Sequence, residues 1–112
     1  MHVVKTVWIC LLGLALATPA FANEGHQLLL SQTKDERATT LAGILQTSGK
    51  TCAEVSRSFL QGTDEDQAAY WNAECSGGET YVIQIPASSQ TRVLECKIMA
   101  MIGVKCFTRF EN

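Results

Sequence analysis

Four cysteines carry the most distinctive chemistry of this chain. Cys52, Cys75, Cys96 and Cys106 are separated by 22, 20 and 9 residues. An even, widely spaced set in an exported chain reads as a disulfide framework. Zinc is the rival chemistry, but it favours close pairs such as C-x2-C, and none occurs here. Four cysteines allow three connectivities. Pairing Cys52 with Cys75 and Cys96 with Cys106 closes the smallest loops and is favoured. By loop entropy the two bridges are worth about 3.4 and about 2.8 kcal/mol. A domain this small is marginal on its own, so both matter.

The other reactive side chains are poorly placed for catalysis. Once oxidised, the cysteines are lost as nucleophiles, and neither C-x-x-C nor C-x-x-C-H is present. His26 stands close to the N-terminal end of the expected domain and reads as a solvated residue, a weak partner for any triad. Glu54, Glu74, Glu79 and Glu95 are scattered, and Glu74 and Glu95 are the best of them for paired acid–base work. Asp64-Glu65-Asp66 lacks the D-x-D-x-D-G spacing of a calcium loop and reads as a solvated turn. The sequence therefore points to no catalytic residue, no metal ligand set and no cofactor.

Length and charge narrow the classes further. The chain has 112 residues, with 9 Lys+Arg against 11 Asp+Glu. That bounds it to one domain, and near-balanced charge argues against a nucleic-acid binder. Residues 1–22 read as a cleavable export signal. Lys5 supplies the charged start, Val7–Ala17 the apolar run, and Ala20-Phe21-Ala22 the small-residue cleavage site. The apolar run spans about 11 residues, against about 20 for a membrane helix. Cleavage removes Cys10, Lys5 and His2 and leaves residues 23–112 as a single domain carrying 8 basic and 11 acidic side chains. The expected location is the periplasm, or outside the cell, with no membrane span after cleavage.

The elements that must position these residues are legible as patterns. Thr33-Lys34-Asp35-Glu36 is a capping box, followed by Ala38, Leu41, Ile44 and Leu45 at helical spacing and by Gly49 as a stop. This predicts a helix over 34–48. The stretch Asn23–Gln32 before it reads as a loose lead or a first helical turn. Thr51-Cys52-Ala53-Glu54 repeats the box, with Cys52, Val55 and Phe59 on one helical face, which predicts a second helix ending at Gly62. The period then changes to two. Tyr70–Cys75 and Glu79–Ile85 read as strands joined by Ser76-Gly77-Gly78. Thr91–Cys96 reads as a third strand and Val104–Phe110 as a last one. Lys97–Gly103 fits either a short helix or a loop. The expected fold is α+β, two N-terminal helices on one face of a three- to four-stranded antiparallel sheet, with Cys52–Cys75 stapling helix to sheet.

The residues Cys52-x-x-Val55, Gly62-x-Asp64, Tyr70-Trp71-x-x-x-Cys75-x-x-Gly78-x-x-Tyr81, Leu94-x-Cys96 and Cys106-Phe107 resemble a set of small exported bacterial proteins with a YWxxxCxxGxxY signature. The architecture is also similar to periplasmic domains of the PepSY and β-lactamase-inhibitor type. The first resemblance implies an exported, disulfide-stapled module and transfers no catalytic residue. The second is one of shape and does not establish function.

Adjacent strand residues point to opposite faces, so Trp71 on the Cys75 face leaves Tyr70 on the other, with Tyr81 or Phe107 near it. Tyr70, Tyr81, Arg92, Phe107 and Arg109 form the candidate partner surface, since aromatic residues and arginine dominate binding hot spots. Ile98-Met99-Ala100-Met101-Ile102 reads as core filling or an adaptable apolar contact. The functional expectation is a binding module for another exported protein: an accessory subunit, inhibitor or immunity-type protein. The alternatives are a carrier with an apolar cavity between helices and sheet, and a small hydrolase using Glu74 or Glu95.

Overall fold

The Thr33 capping box forms as written. Thr33 Oγ1 accepts the Glu36 N–H at 3.1 Å, and Glu36 Oε1 accepts the Thr33 N–H at 2.9 Å. It opens a helix over Lys34–Thr47, here α2. Gly49, with φ of 80°, ends it. The computed structural model describes residues 23–88 and 90–111. The expected export signal over 1–22, including Cys10, lies outside the described residues.

A helix precedes α2, where a loose lead or a first helical turn was expected. This is α1, Glu24–Ser31. Eight residues cannot hold a helix unaided, and long-range polar contacts fix it. Asn23 Oδ1 caps α1 by accepting the His26 N–H at 3.1 Å. Asn23 Nδ2 donates to the carbonyls of Gln67 and Ile85, each at 2.8 Å. At the other end Arg37 donates from Nε to the Leu29 carbonyl and from Nη2 to the Gln32 carbonyl. A cation at a helix C-terminus satisfies orphan carbonyls and complements the dipole.

The helix expected after Thr51 does not form. Val55–Thr63 is strand β1, antiparallel to β2, Ala69–Cys75. A capping box alone cannot nucleate a helix in a segment of Val, Ser, Phe and Thr. Pairing along β2, in a register that sets Val55 opposite Cys75, outweighs it. The face shared by Cys52, Val55 and Phe59 dissolves with the helix: Val55 joins the core, while Phe59 turns to the other side of the sheet. Cys52–Cys75 therefore staples the lead into β1 to the end of β2, not a helix to the sheet.

The remaining strands follow the expected order. Hairpin 76–79, with Gly78 at φ 97°, joins β2 to β3, Thr80–Ile85, and β4 is Arg92–Glu95. The sheet runs β1-β2-β3-β4, all antiparallel. The ambiguous segment Lys97–Gly103 resolves as a short helix, α3, Cys96–Met101. The second disulfide, Cys96–Cys106, ties the start of α3 to the chain beyond it.

The expected last strand over 104–110 is absent among the described residues. In its place an irregular strap crosses the sheet, because side chains of Gln61 and Asn72 take up most of its polar groups and only the Phe110 N–H meets a strand carbonyl, that of Gln61.

The layers are therefore helices, sheet and strap. On the helix side Leu29, Leu41 and Leu45 pack on Trp71, Ala73, Ile83 and Ile85 in one core. Alternation along β2 places Trp71, Ala73 and Cys75 on that side, as expected, and Ala69 with them. The α+β class and both expected disulfides are present. Two formed disulfides are consistent with an oxidising compartment. No helix among the described residues is long and apolar enough to cross a membrane.

Candidate functional site

The second face of the sheet starts from a β-bulge. Register shifts between Leu60 and Gly62, so Gln61 has no partner residue in β2. A bulge re-aims a side chain. Here the Gln61 amide turns toward the strap and meets Asn72 of β2. Both amides are buried, at 3% and 0% exposed. Asn72 Nδ2 donates to Gln61 Oε1 at 3.0 Å. Gln61 Nε2 donates to the carbonyls of Lys105 and Thr108, each at 2.9 Å. Asn72 Oδ1 accepts the Phe107 N–H, and the Gln61 carbonyl accepts the Phe110 N–H at 2.9 Å. Four hydrogen bonds thus hold the strap to the sheet through two buried side residues. Phe107 adopts φ of 57° within this clamp, a conformation that costs a non-glycine residue about 1 kcal/mol or more.

Aromatic rings and arginines cover the clamp. Phe107 lies 6.2 Å from Phe59, centroid to centroid. The Arg57 guanidinium stands 3.7 Å over the Phe107 ring, and that of Arg109 stands 5.7 Å over Phe59. Arg57 also donates to Glu74 Oε1 at 2.9 Å. Phe110 packs edge-on to Tyr70 at 5.2 Å and lies over Gly62. The Tyr70 hydroxyl donates to Asp64 Oδ2 at 2.8 Å and accepts from Gln84 Nε2 at 2.9 Å. Hydrogen bonding from Tyr70 and from backbone amides holds the Asp64 carboxyl below its ordinary range. Burial and then that carboxylate push the Tyr70 phenol above its own.

Four of the five residues expected at a partner surface belong to this side. Tyr70 and Arg92 sit on the sheet face, Arg92 paired with Gln84 in β4, and Phe107 and Arg109 sit on the strap. Tyr81 is placed otherwise. It packs in the helix-side core, 5% exposed, and its hydroxyl donates to the Thr51 carbonyl at 3.1 Å. Period-two alternation accounts for this, since Tyr81 shares a side with Ile83 and Ile85. Burial first, then Glu79 and Glu95, raise its phenol.

The chain matches no known protein family, curated protein or solved structure.

Other expected residues separate in space. Glu74 lies on the strap side with Arg57, whereas Glu95 stands opposite Tyr81 with Lys97 4.0 Å away. The two carboxylates do not share a site. The acidic turn closes on itself, as Asp64 Oδ1 accepts the N–H groups of Asp66 and Ala68. Among the described residues no group of three or more metal-ligating side chains assembles.

His26 is the largest departure from expectation. It is buried, 7% exposed, and its Nδ1 accepts the Trp71 indole N–H at 3.1 Å. Burial lowers its pKa. The sequence carried no periodic signal for it beyond Leu29 at i+3. Arg57, Phe59, Gln61 and Asn72 were also missed. Arg57 and Phe59 alternate at period two, a signal that the helix expected over this segment hides.

Proposed function

We propose that this protein is a small exported binding module with no catalytic activity of its own. It acts in the periplasm after removal of residues 1–22, and it binds another exported protein through the strap face. The single observation that carries the reading is the array of Arg57, Phe59, Phe107 and Arg109, in which guanidinium groups stand over rings on a scaffold clamped from beneath. Arginine and aromatic side chains dominate hot spots, and rigid ones lose little entropy on binding. Both arginines are exposed, so an acidic or aromatic patch is the complement they fit.

The filled helix–sheet interface favours a binding surface over a carrier cavity. Leu29, Leu41, Leu45 and Ile83 are essentially solvent-free there, with Trp71 beside them. A small scaffold stapled by two disulfides suits an inhibitor, accessory or immunity role. Tagging the chain after Asn112, expressing the full precursor in its own host and crosslinking gently tests the reading. One stoichiometric exported partner is the expected result, and Arg109→Glu or Arg57→Glu weakens its capture. Recovery of the protein alone, or a partner held equally by both variants, contradicts it.

A further inference from the structure

Helix α3 is apolar on the side where a surface helix is ordinarily polar. Cys96 and Met99 turn inward, one buried and one half-buried. Ile98, Met101 and Ile102, at i, i+3 and i+4, form the outward stripe. Met101 is 79% exposed and Ile102 71%, and Ile98 is exposed beside them. The stripe sits on a ring closed by Cys96–Cys106. Its end is pinned by the N–H groups of Ile102 and Val104, which donate to the Met99 carbonyl at 3.1 and 3.0 Å. Lys97 and Lys105 are the chain neighbours of the two bridged cysteines, and both are exposed.

Charge says what covers this stripe. The chain as a whole is acidic, at −2, yet residues 96–110 hold Lys97, Lys105 and Arg109 and no carboxylate. Glu95 flanks the ring and lies 4.0 Å from Lys97, which remains exposed. The stripe is aliphatic and thioether, without the aromatic anchors of a protein hot spot. Exposed apolar side chains on a short segment that also exposes Lys97 and Lys105 match the boundary of an anionic bilayer, where apolar groups enter the acyl layer and cations meet headgroups.

We propose that the Cys96–Cys106 ring is an interfacial anchor. Ile98, Met101 and Ile102 insert into an anionic lipid surface, with Lys97 and Lys105 at the headgroups. The stripe of Ile98, Met101 and Ile102 is distinct from the Arg57, Phe59, Phe107 and Arg109 array, and the anchor does not depend on the protein partner proposed above.

Sedimentation with vesicles tests it, using the full oxidised chain. Phosphatidylcholine vesicles are compared with vesicles of phosphatidylcholine and phosphatidylglycerol. Any leader retained is common to all variants, so a difference between variants belongs to the ring. The wild-type chain is expected to partition onto the anionic vesicles and to release as salt rises. Replacing the stripe (Ile98→Ser, Met101→Ser, Ile102→Ser) lowers partition at least about tenfold. Lys97→Gln and Lys105→Gln lower it roughly fivefold each and leave the apolar stripe intact. No wild-type partition onto anionic vesicles overturns the proposal. So does a serine-substituted chain that partitions as well as wild type. An exported protein crosslinked at Met101, with no lipid partition, makes the ring a protein contact and overturns it equally.

Discussion

The Trp71 indole N–H donates to His26 Nδ1 across the helix–sheet interface, 3.1 Å away. This contact requires His26 to be neutral, with its proton on Nε2, because a protonated imidazole has no acceptor. The Arg37 guanidinium lies 5.1 Å over the same indole. A charged His26 therefore loses its partner while it stays buried.

Acid should loosen the helix layer before it loosens the sheet. Burial lowers the His26 pKa from its ordinary 6.5. The unfolded chain then binds more protons than the folded one as pH falls below that value, so stability drops with falling pH. The contribution is complete above 6.5 and is lost as pH falls through the folded pKa. Urea melts between pH 7 and 5 should lose stability in wild type, and His26→Gln should flatten that slope. Asp64 titrates below this window, since its pKa is held under 3.8. An equal slope in both proteins contradicts the His26 account.

The clamp under the strap should be costly to break. Asn72→Ala strands Gln61 Oε1 and the Phe107 N–H at a fully buried position. Each stranded group costs about 1–3 kcal/mol. Urea denaturation should register that loss, and hydrogen exchange should rise first in residues 105–110.

Gly62 admits no side chain without moving the strap. Its φ is 150°, and an added Cβ stands 2.9 Å from Phe110 Cδ2. Gly62→Ala should destabilise by about 1–3 kcal/mol. Combined with Phe110→Ala the cost should fall, because the crowding ring is gone. The coupling between the two substitutions, measured by a double-mutant cycle, checks this.

The two disulfides should fail differently. Cys52–Cys75 joins the lead of β1 to the end of β2 inside the core, whereas Cys96–Cys106 holds α3 and the strap. Cys52→Ser with Cys75→Ser should lower Tm of the whole domain, by about 3 kcal/mol in stability. Cys96→Ser with Cys106→Ser should instead expose residues 96–111 to protease while the core persists. Limited proteolysis with mass mapping separates the two.

Local signals carried much of this fold, and distant ones corrected it. The Thr33 box, the 76–79 hairpin and the Trp71 alternation were readable because each is settled within a few residues. The Thr51 box misled because a local cap competed with pairing of Val55–Thr63 along β2, a contact that sequence distance hides. Helix α1 stayed open between a lead and a helical turn for the same reason, since Asn23 reaches Gln67 and Ile85 and Arg37 reaches back to Leu29. At the candidate site Tyr70, Arg92, Phe107 and Arg109 were expected from residue type, and they lie on the strap side of the sheet. Gln61 and Asn72 were not, because their role depends on a bulge and on where the strap returns. Tyr81 fell on the wrong face despite an alternation that already grouped it with Ile83 and Ile85.

Photo-crosslinking at position 108 tests the central claim most directly. Benzoylphenylalanine replaces the exposed Thr108 beside Arg109 on the strap in one chain and the exposed Gln27 of α1 in another, each expressed in the native host. One exported protein captured at 108 and absent at 27 is the expected result. Capture at 27 alone, equal capture at both, or none at either contradicts a binding module that works through its strap face.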